Sequence, residues 1–268
     1  MKLKAFSAPY LVWMVVFIVV PLLMVVYFAF TNESGEFTLE YISDVGQYAN
    51  IFMRSIWLAI IATIICLVVA YPLAYLLSRM SKHTQGTMLM IVMLPMWMNF
   101  LLRTYAWMTL LGNNGIINQL FGMIGLGPFK LINTEGAVVL GMVYNYLPFM
   151  ILPLYSVMVK IDKSVIEAAN DLGCNSIHTM FRVIFPLSLP GVTSGITMVF
   201  VPAISTFIIS RMLGGGSNLL IGDLIEMQFL GNSYNPHLGA AISMVLMVII
   251  LVIMTVMNQF SPDDQVLI

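Results

Sequence analysis

Lys160-Ile-Asp-Lys-Ser-Val-Ile-Glu-Ala-Ala-Asn-Asp-Leu-Gly-Cys-Asn-Ser-Ile-His-Thr-Met-Phe-Arg-Val-Ile-Phe-Pro186 is a polar stretch set between two apolar ones, and its spacing is that of two short helices and a turn. Ser164 stands three residues before Glu167, the arrangement in which each side chain satisfies the other's free backbone amide at a helix start. A helix is therefore expected from Ser164. Ala168 and Ala169 make part of its surface shallow, and Gly173 ends it by taking a left-handed conformation. Asn175 or Ser176 then caps a second helix that runs to Pro186.

Outward from this stretch the chain is apolar on both sides. Of the 268 residues 60% are hydrophobic and 9% are charged, where a soluble domain carries roughly 25% charged residues. A bilayer core needs roughly 20 mostly apolar residues per helix, and windows of that kind fall near 10–30, 55–78, 87–111, 136–158, 190–213 and 238–258. The expected fold is all-α, with six transmembrane helices in one membrane domain spanning 1–268 and the loop at about 159–189 held parallel to the membrane. Pro21, Pro72, Pro95, Pro148 and Pro153 lie inside spans, where neighbouring groups satisfy the carbonyls they free. Gly191 and Gly195 make a pair of small residues one turn apart, suited to close helix packing. The first window is too long for a secretion signal and lacks a small-residue cleavage site after it, so it reads as a retained helix.

Charge placement orients the spans, because cytoplasmic loops collect Lys and Arg. One set of alternating loops holds Lys2, Lys4, Arg79, Lys82, Lys160, Lys163 and Arg182, while the other holds Arg54, Lys130 and Arg211 among many acids. Both termini are thus expected in the cytoplasm. The net charge of -1 carries no basic excess that would suit nucleic acid. Cys66 and Cys174 have no metal-type spacing, and His83, His178 and His237 have no paired ligand spacing. The sequence contains no Gly-x-x-x-x-Gly-Lys phosphate loop, so it offers no nucleotide hydrolysis of its own.

Glu167-Ala168-Ala169, then Gly173, then a hydrophobic residue and Pro186 resembles the EAA loop of ABC-importer permeases, with Val183 and Phe185 standing where that pattern has Ile and Leu. The resemblance implies a type I importer core in the bacterial cytoplasmic membrane and a non-catalytic transport subunit. It also implies that Ser164, Glu167, Ala168, Ala169, Gly173 and Pro186 form the element that docks into a partner ATPase, which would hold the ATP and magnesium. Further implied partners are a second homologous permease, an extracytoplasmic substrate-binding protein and the surrounding lipid. Leu102–Asn118 and Met212–Phe229 look like the spermidine/putrescine branch, although Ser205–Ser210 departs from relatives that carry an acid and a proline there. A permease for another small solute, or a secondary transporter, is the alternative reading.

If the solute is a polyamine, Tyr105 and Trp107 offer aromatic faces that attract ammonium groups, or else belong to an interfacial belt. Arg103, inside the third window, suits a structural pairing or snorkelling role better than contact with a cation. Asp223 and Glu226 are three apart and share a helix face. They either guide cations inward or form a solvated outer surface.

The loop charges give a direct test of topology. Reporter fusions or cysteine labelling after Asp44 and Asn133 should report the outside, and after Lys82 and Cys174 the inside; a consistent inversion would overturn the orientation.

Overall fold

A computed structural model describes residues 8–216, 218–231 and 233–259. Twelve helical segments follow one another along these residues. They are α1 (Pro9–Ala29), α2 (Glu40–Asp44), α3 (Ala49–Arg79), α4 (Lys82–Trp97), α5 (Phe100–Leu111) and α6 (Ile116–Met123). After these come α7 (Glu135–Met158), α8 (Lys163–Asp171), α9 (Ser176–Ile204), α10 (Ile208–Gly214), α11 (Ile221–Leu230) and α12 (Pro236–Gln259). Five runs are long and apolar enough to cross a bilayer by themselves. The bent pair made by α4 with the helical segment Phe100–Met123, which turn by 85°, brings the number to six when it is counted as one broken span.

The packing centre is the trio α3, α7 and α9. On α3 the small residues Ala59, Ala62, Cys66, Ala70 and Ala74 are all fully buried. Their spacing of three and four keeps them on one face, so the backbone of α7 comes close enough for dispersion to replace the hydrophobic effect that lipid does not supply. Met142, Met150, Leu154 and Met158 of α7 are buried in that contact. From the other side α9 presents Gly191 and Gly195: a methyl group on Gly191 would lie 3.0 Å from the Pro153 carbonyl, and one on Gly195 would lie 2.6 Å from Met150 Sδ. The expected small-residue pair is thus a helix contact. In α1, by contrast, none of the apolar window is buried by the rest of the chain.

Local sequence explains several helix ends. Thr134 Oγ1 accepts from Ala137 N at 3.1 Å and starts α7, and Asn99 Oδ1 accepts from Leu101 N at 2.9 Å and Leu102 N at 3.3 Å to start α5. Wide π-turns at Val15–Val19 and Met180–Ile184 each end two residues before a proline, Pro21 and Pro186. A proline ring clashes with the carbonyl one turn earlier, and the wider turn makes room for it.

Two expectations are corrected here. Pro186 does not end a helix: the π-turn carries α9 through it without interruption from Ser176 to Ile204. The window 190–213 is therefore not one span, because the chain breaks after Ile204 and resumes as the short α10. Pro202 within α9, the non-helical Phe207 and the buried hydroxyls of Thr206 and Ser210 mark the break.

Because Gly195 leaves so little room, Gly195→Leu should overpack the contact with α7 and destabilise the protein by about 1–3 kcal/mol, the usual cost of extra methylenes in a packed core. Gly86→Leu, where a side chain meets nothing within 4 Å, should leave thermal unfolding in detergent unchanged. Equal midpoints for the two variants would refute the close approach.

Candidate functional site

The loop between α7 and α9 has the helix, turn and helix that its spacing predicts, but a different residue starts it. Asp162, not Ser164, is the N-cap: its Oδ1 accepts from Ser164 N at 3.0 Å. The amide and hydroxyl of Ser164 hold the Asp162 carboxyl below the usual carboxylate range, so the cap is charged at neutral pH. Ser164 and Glu167 form no capping box; both are exposed, and Glu167 makes no hydrogen bond or ion pair among the described residues. Asp162 wins because a carboxylate is at least as good a cap as a hydroxyl and stands where the backbone leaves its extended conformation. Ala168 is exposed and Ala169 buried, so only one of the two alanines packs inward.

Gly173 has φ +82, the left-handed value that its place after the helix predicts. Its amide donates to the Asn170 carbonyl at 2.9 Å, and the Cys174 amide donates to the Ala169 carbonyl at 3.0 Å. This is a Schellman ending, which closes the last carbonyls of α8. Asn175 Oδ1 then accepts from His178 N at 2.8 Å and starts α9. The turn presents apolar side chains outward, with Leu172 86% exposed and Ile177 and Phe181 exposed nearby. Sequence reading passed over these three because each looks like an ordinary interior residue of a short helix. An isolated exposed leucine is unremarkable, but here three large apolar side chains stand exposed around one tight turn.

One bond ties the loop to α3, and others tie the ends of the spans beside it to one another. Arg79 Nη1 donates to the Ile161 carbonyl at 3.1 Å, and its guanidinium lies 5.4 Å from the Tyr75 ring centroid. Tyr155 donates to Gln85 Oε1 at 3.0 Å, while Gln85 Nε2 donates to the carbonyls of Ser78 and Met80. Tyr71 and Ser188 share a hydrogen bond of 2.9 Å. Arg79 is thus the link from the loop to α3, while Gln85, Tyr155, Tyr71 and Ser188 join the neighbouring spans to one another.

A second candidate region lies where two crossings break. Between α4 and α5 the chain turns at Met98–Asn99, and Arg103, 7% exposed, closes the bend by donating from Nη1 to the Pro95 carbonyl. Its guanidinium carbon sits 5.9 Å from the ring centroids of both Phe100 and Tyr144. Arg103 thus has the structural role expected of it. Trp107 packs edge-on against Tyr144 at 5.3 Å and is partly buried, whereas Tyr105 is 52% exposed and points elsewhere. The structure does not bring these two aromatics together.

The break between α9 and α10 opens a small hollow of about 230 Å³ lined by Phe100, Tyr146, Pro202, Ser205, Thr206 and Phe207. Here α11 comes very close: a methyl group on Gly222 would lie 2.5 Å from the carbonyl oxygens of Ser205 and Thr206. The sequence signal for this hollow was present in Pro202 and the run Ser205-Thr206, but only the fold sets Phe100 and Tyr146 against it.

Asp223 and Glu226 depart from the expected shared solvated face. Asp223 is 1% exposed and turns back to accept from Leu220 N at 2.9 Å, capping its own helix. Burial raises its pKa, against the opposing pull of Ser210 and the Leu220 amide. Glu226 pairs with Arg211 of α10, whose guanidinium holds its carboxyl below the usual range. At the same end of the molecule Arg54 Nε donates to Glu135 Oε1 at 2.8 Å, and Arg54 Nη2 donates to Asn218 Oδ1 at 2.6 Å. No group of three or more acidic, histidine or cysteine side chains suited to a metal ion occurs among the described residues.

Comparison with known proteins agrees with this architecture. Residues 3–262 match the family of binding-protein-dependent transport system inner membrane components, and the chain belongs to it. It is a multi-pass protein of the cytoplasmic membrane, of the permease class found in ABC importers. Among its relatives, the spermidine/putrescine transport system permease protein PotB of Haemophilus influenzae is 38% identical over 247 residues, covering 88% of this chain and 86% of the relative. PotB of Escherichia coli K12 is 34% identical over 247 residues, covering 88% and 90%. A bacterial ABC transporter that imports the acidic polysaccharide alginate has a chain that superimposes with a TM-score of 0.83 at 16% identity, covering 98% of this chain and 96% of that one. At that identity the likeness carries the fold alone.

The Schellman turn yields a measurable expectation. A side chain at a left-handed position costs roughly 1–2 kcal/mol, which is a factor of about 5–30 in a local equilibrium. Gly173→Leu should speed hydrogen exchange at the Cys174 amide by about that factor, and Gly173→Asn should do so much less, because Asn tolerates this conformation. Equal exchange in both variants would sink the assignment.

Proposed function

We propose that this chain is the membrane-spanning, non-catalytic permease of an ATP-driven importer of polyamines, with both termini in the cytoplasm. The observation that carries the reading is the 38% identity to a spermidine/putrescine permease over 88% of the chain. ATP and magnesium belong to a separate ATPase, which docks on α8 and the exposed Leu172, Ile177 and Phe181 around the Gly173 turn. A second homologous permease completes the path. An extracytoplasmic binding protein delivers the solute; the bacterial alginate ABC transporter, similar in fold, forms a complex with an alginate pentasaccharide-bound periplasmic protein.

The hollow at the two breaks supports the substrate class. Broken crossings expose backbone groups that a spanning helix otherwise keeps paired, and transport sites gather at such breaks. Phe100, Tyr146 and Phe207 give the hollow aromatic walls, which attract ammonium groups without a fixed carboxylate. Asp223 and Glu226 serve mainly to hold α11 against α10, and Trp107 acts through Tyr144.

Reconstituted with its partner subunits, the assembly should take up spermidine or putrescine only with ATP. Phe207→Ala should raise the KM for uptake several-fold while leaving ATPase co-purification intact. Gly173→Leu should abolish uptake by losing or uncoupling the ATPase, with the protein still in the membrane. Uptake of an amino acid, sugar or phosphate in place of polyamines would overturn the substrate while leaving the importer; uptake without ATP would overturn the importer.

A further inference from the structure

At the Arg54 end of the molecule α3 and α7 diverge and leave a groove of about 460 Å³ on the outside of the bundle. Leu58, Ile61 and Ile65 form one wall, and Val139, Leu140 and Val143 form the other. Both walls are apolar, yet the mouth is not: Glu135 and Gly136 lie there, and the Arg54 guanidinium, one turn before Leu58, is bonded to Glu135. Each partner of this pair is partly open to solvent, with side-chain exposures of 35% and 47%. Arg54 Nη1 and Glu135 Oε2 carry no bond among the described residues.

Depth fixes what can lie there. Trp57, 59% exposed and three residues from Arg54, is of the residue type that collects at the boundary between headgroups and hydrocarbon. From Arg54 to Ile65 the helix rises about 16 Å at 1.5 Å per residue, close to the roughly 15 Å of one leaflet's hydrocarbon. The exposed stripe Trp57, Ile60, Ile64 and Val68 runs beside the groove on the same helix, so the groove opens next to a lipid-facing surface. An apolar channel one leaflet deep, under a paired cation and anion at headgroup level, has the chemistry of a single phospholipid whose own headgroup bears both charges.

We propose that this groove is a binding site for a glycerophospholipid with a primary ammonium beside its phosphate, of the phosphatidylethanolamine class. One acyl chain lies between α3 and α7, the phosphate faces Arg54, and the ammonium faces Glu135. A free polyamine lacks the acyl chain, and phosphatidylglycerol lacks the ammonium that Glu135 favours.

The test uses the assembled transporter, purified in mild detergent from membranes containing phosphatidylethanolamine and phosphatidylglycerol and analysed by native mass spectrometry. One phosphatidylethanolamine per copy should survive detergent exchange. Glu135→Gln and Arg54→Gln should each reduce its retention several-fold. Val143→Phe, which fills the groove and leaves both charges in place, should do the same at an unchanged thermal midpoint. Retention that is absent in the wild type, equal for both lipids, or unmoved by Val143→Phe would overturn the site. So would an efficient cross-link from Ile61→Cys to the partner permease, which would show the groove covered by protein. None of these outcomes depends on which solute the transporter carries.

Discussion

The contact of α3 with α7 and α9 is the constraint on which the rest depends. In lipid, apolar side chains gain little by leaving their surroundings, so helices hold together through close contact over a long face. Ala59, Ala62, Cys66, Ala70 and Ala74 provide that face on α3, and Gly191 and Gly195 provide it on α9. With the three helices fixed, the outer segments have defined places. α12 holds the end of α1, where His237 Nδ1 bonds the Phe28 carbonyl at 3.0 Å and stacks on Tyr41 at 5.5 Å.

Breaks are tolerated because this rigid trio lies beside them. At the turn between α4 and α5 the Pro95 carbonyl accepts both from the Met98 amide and from Arg103, a charged donor that lies 5.9 Å from two aromatic ring centroids. The second break frees the carbonyls of Ser205 and Thr206, and Gly222 lets α11 close over them. Asp223, buried beside that contact, caps α11 from within.

The polar loop is capped at each of its helix ends. Asp162 starts α8, a Schellman turn ends it, and Asn175 starts α9 with no free residue to spare. Arg79 fastens the loop to α3, while Gln85 and Tyr155 tie α4 to α3 and α7 beside it.

Sequence by itself determined the membrane class, the number of crossings, the left-handed turn at Gly173 and the packing use of Gly191 and Gly195. Each of these rests on spacing along one helix or on a residue whose backbone freedom is intrinsic, so local chemistry suffices. Tertiary structure alone decided the rest. It replaced Ser164 by Asp162 as the cap and carried α9 through Pro186 by a π-turn. It also ended that crossing at Ile204, turned Asp223 inward, and separated Tyr105 from Trp107. For Asp223, Tyr105 and Trp107 the outcome depends on which neighbour lies across a helix contact; for Asp162 and Pro186 it depends on which of several locally allowed backbone conformations the chain takes. A carboxylate is solvated or buried, and an aromatic ring lines a path or packs, according to groups far away in the chain that hydropathy and spacing do not bring together.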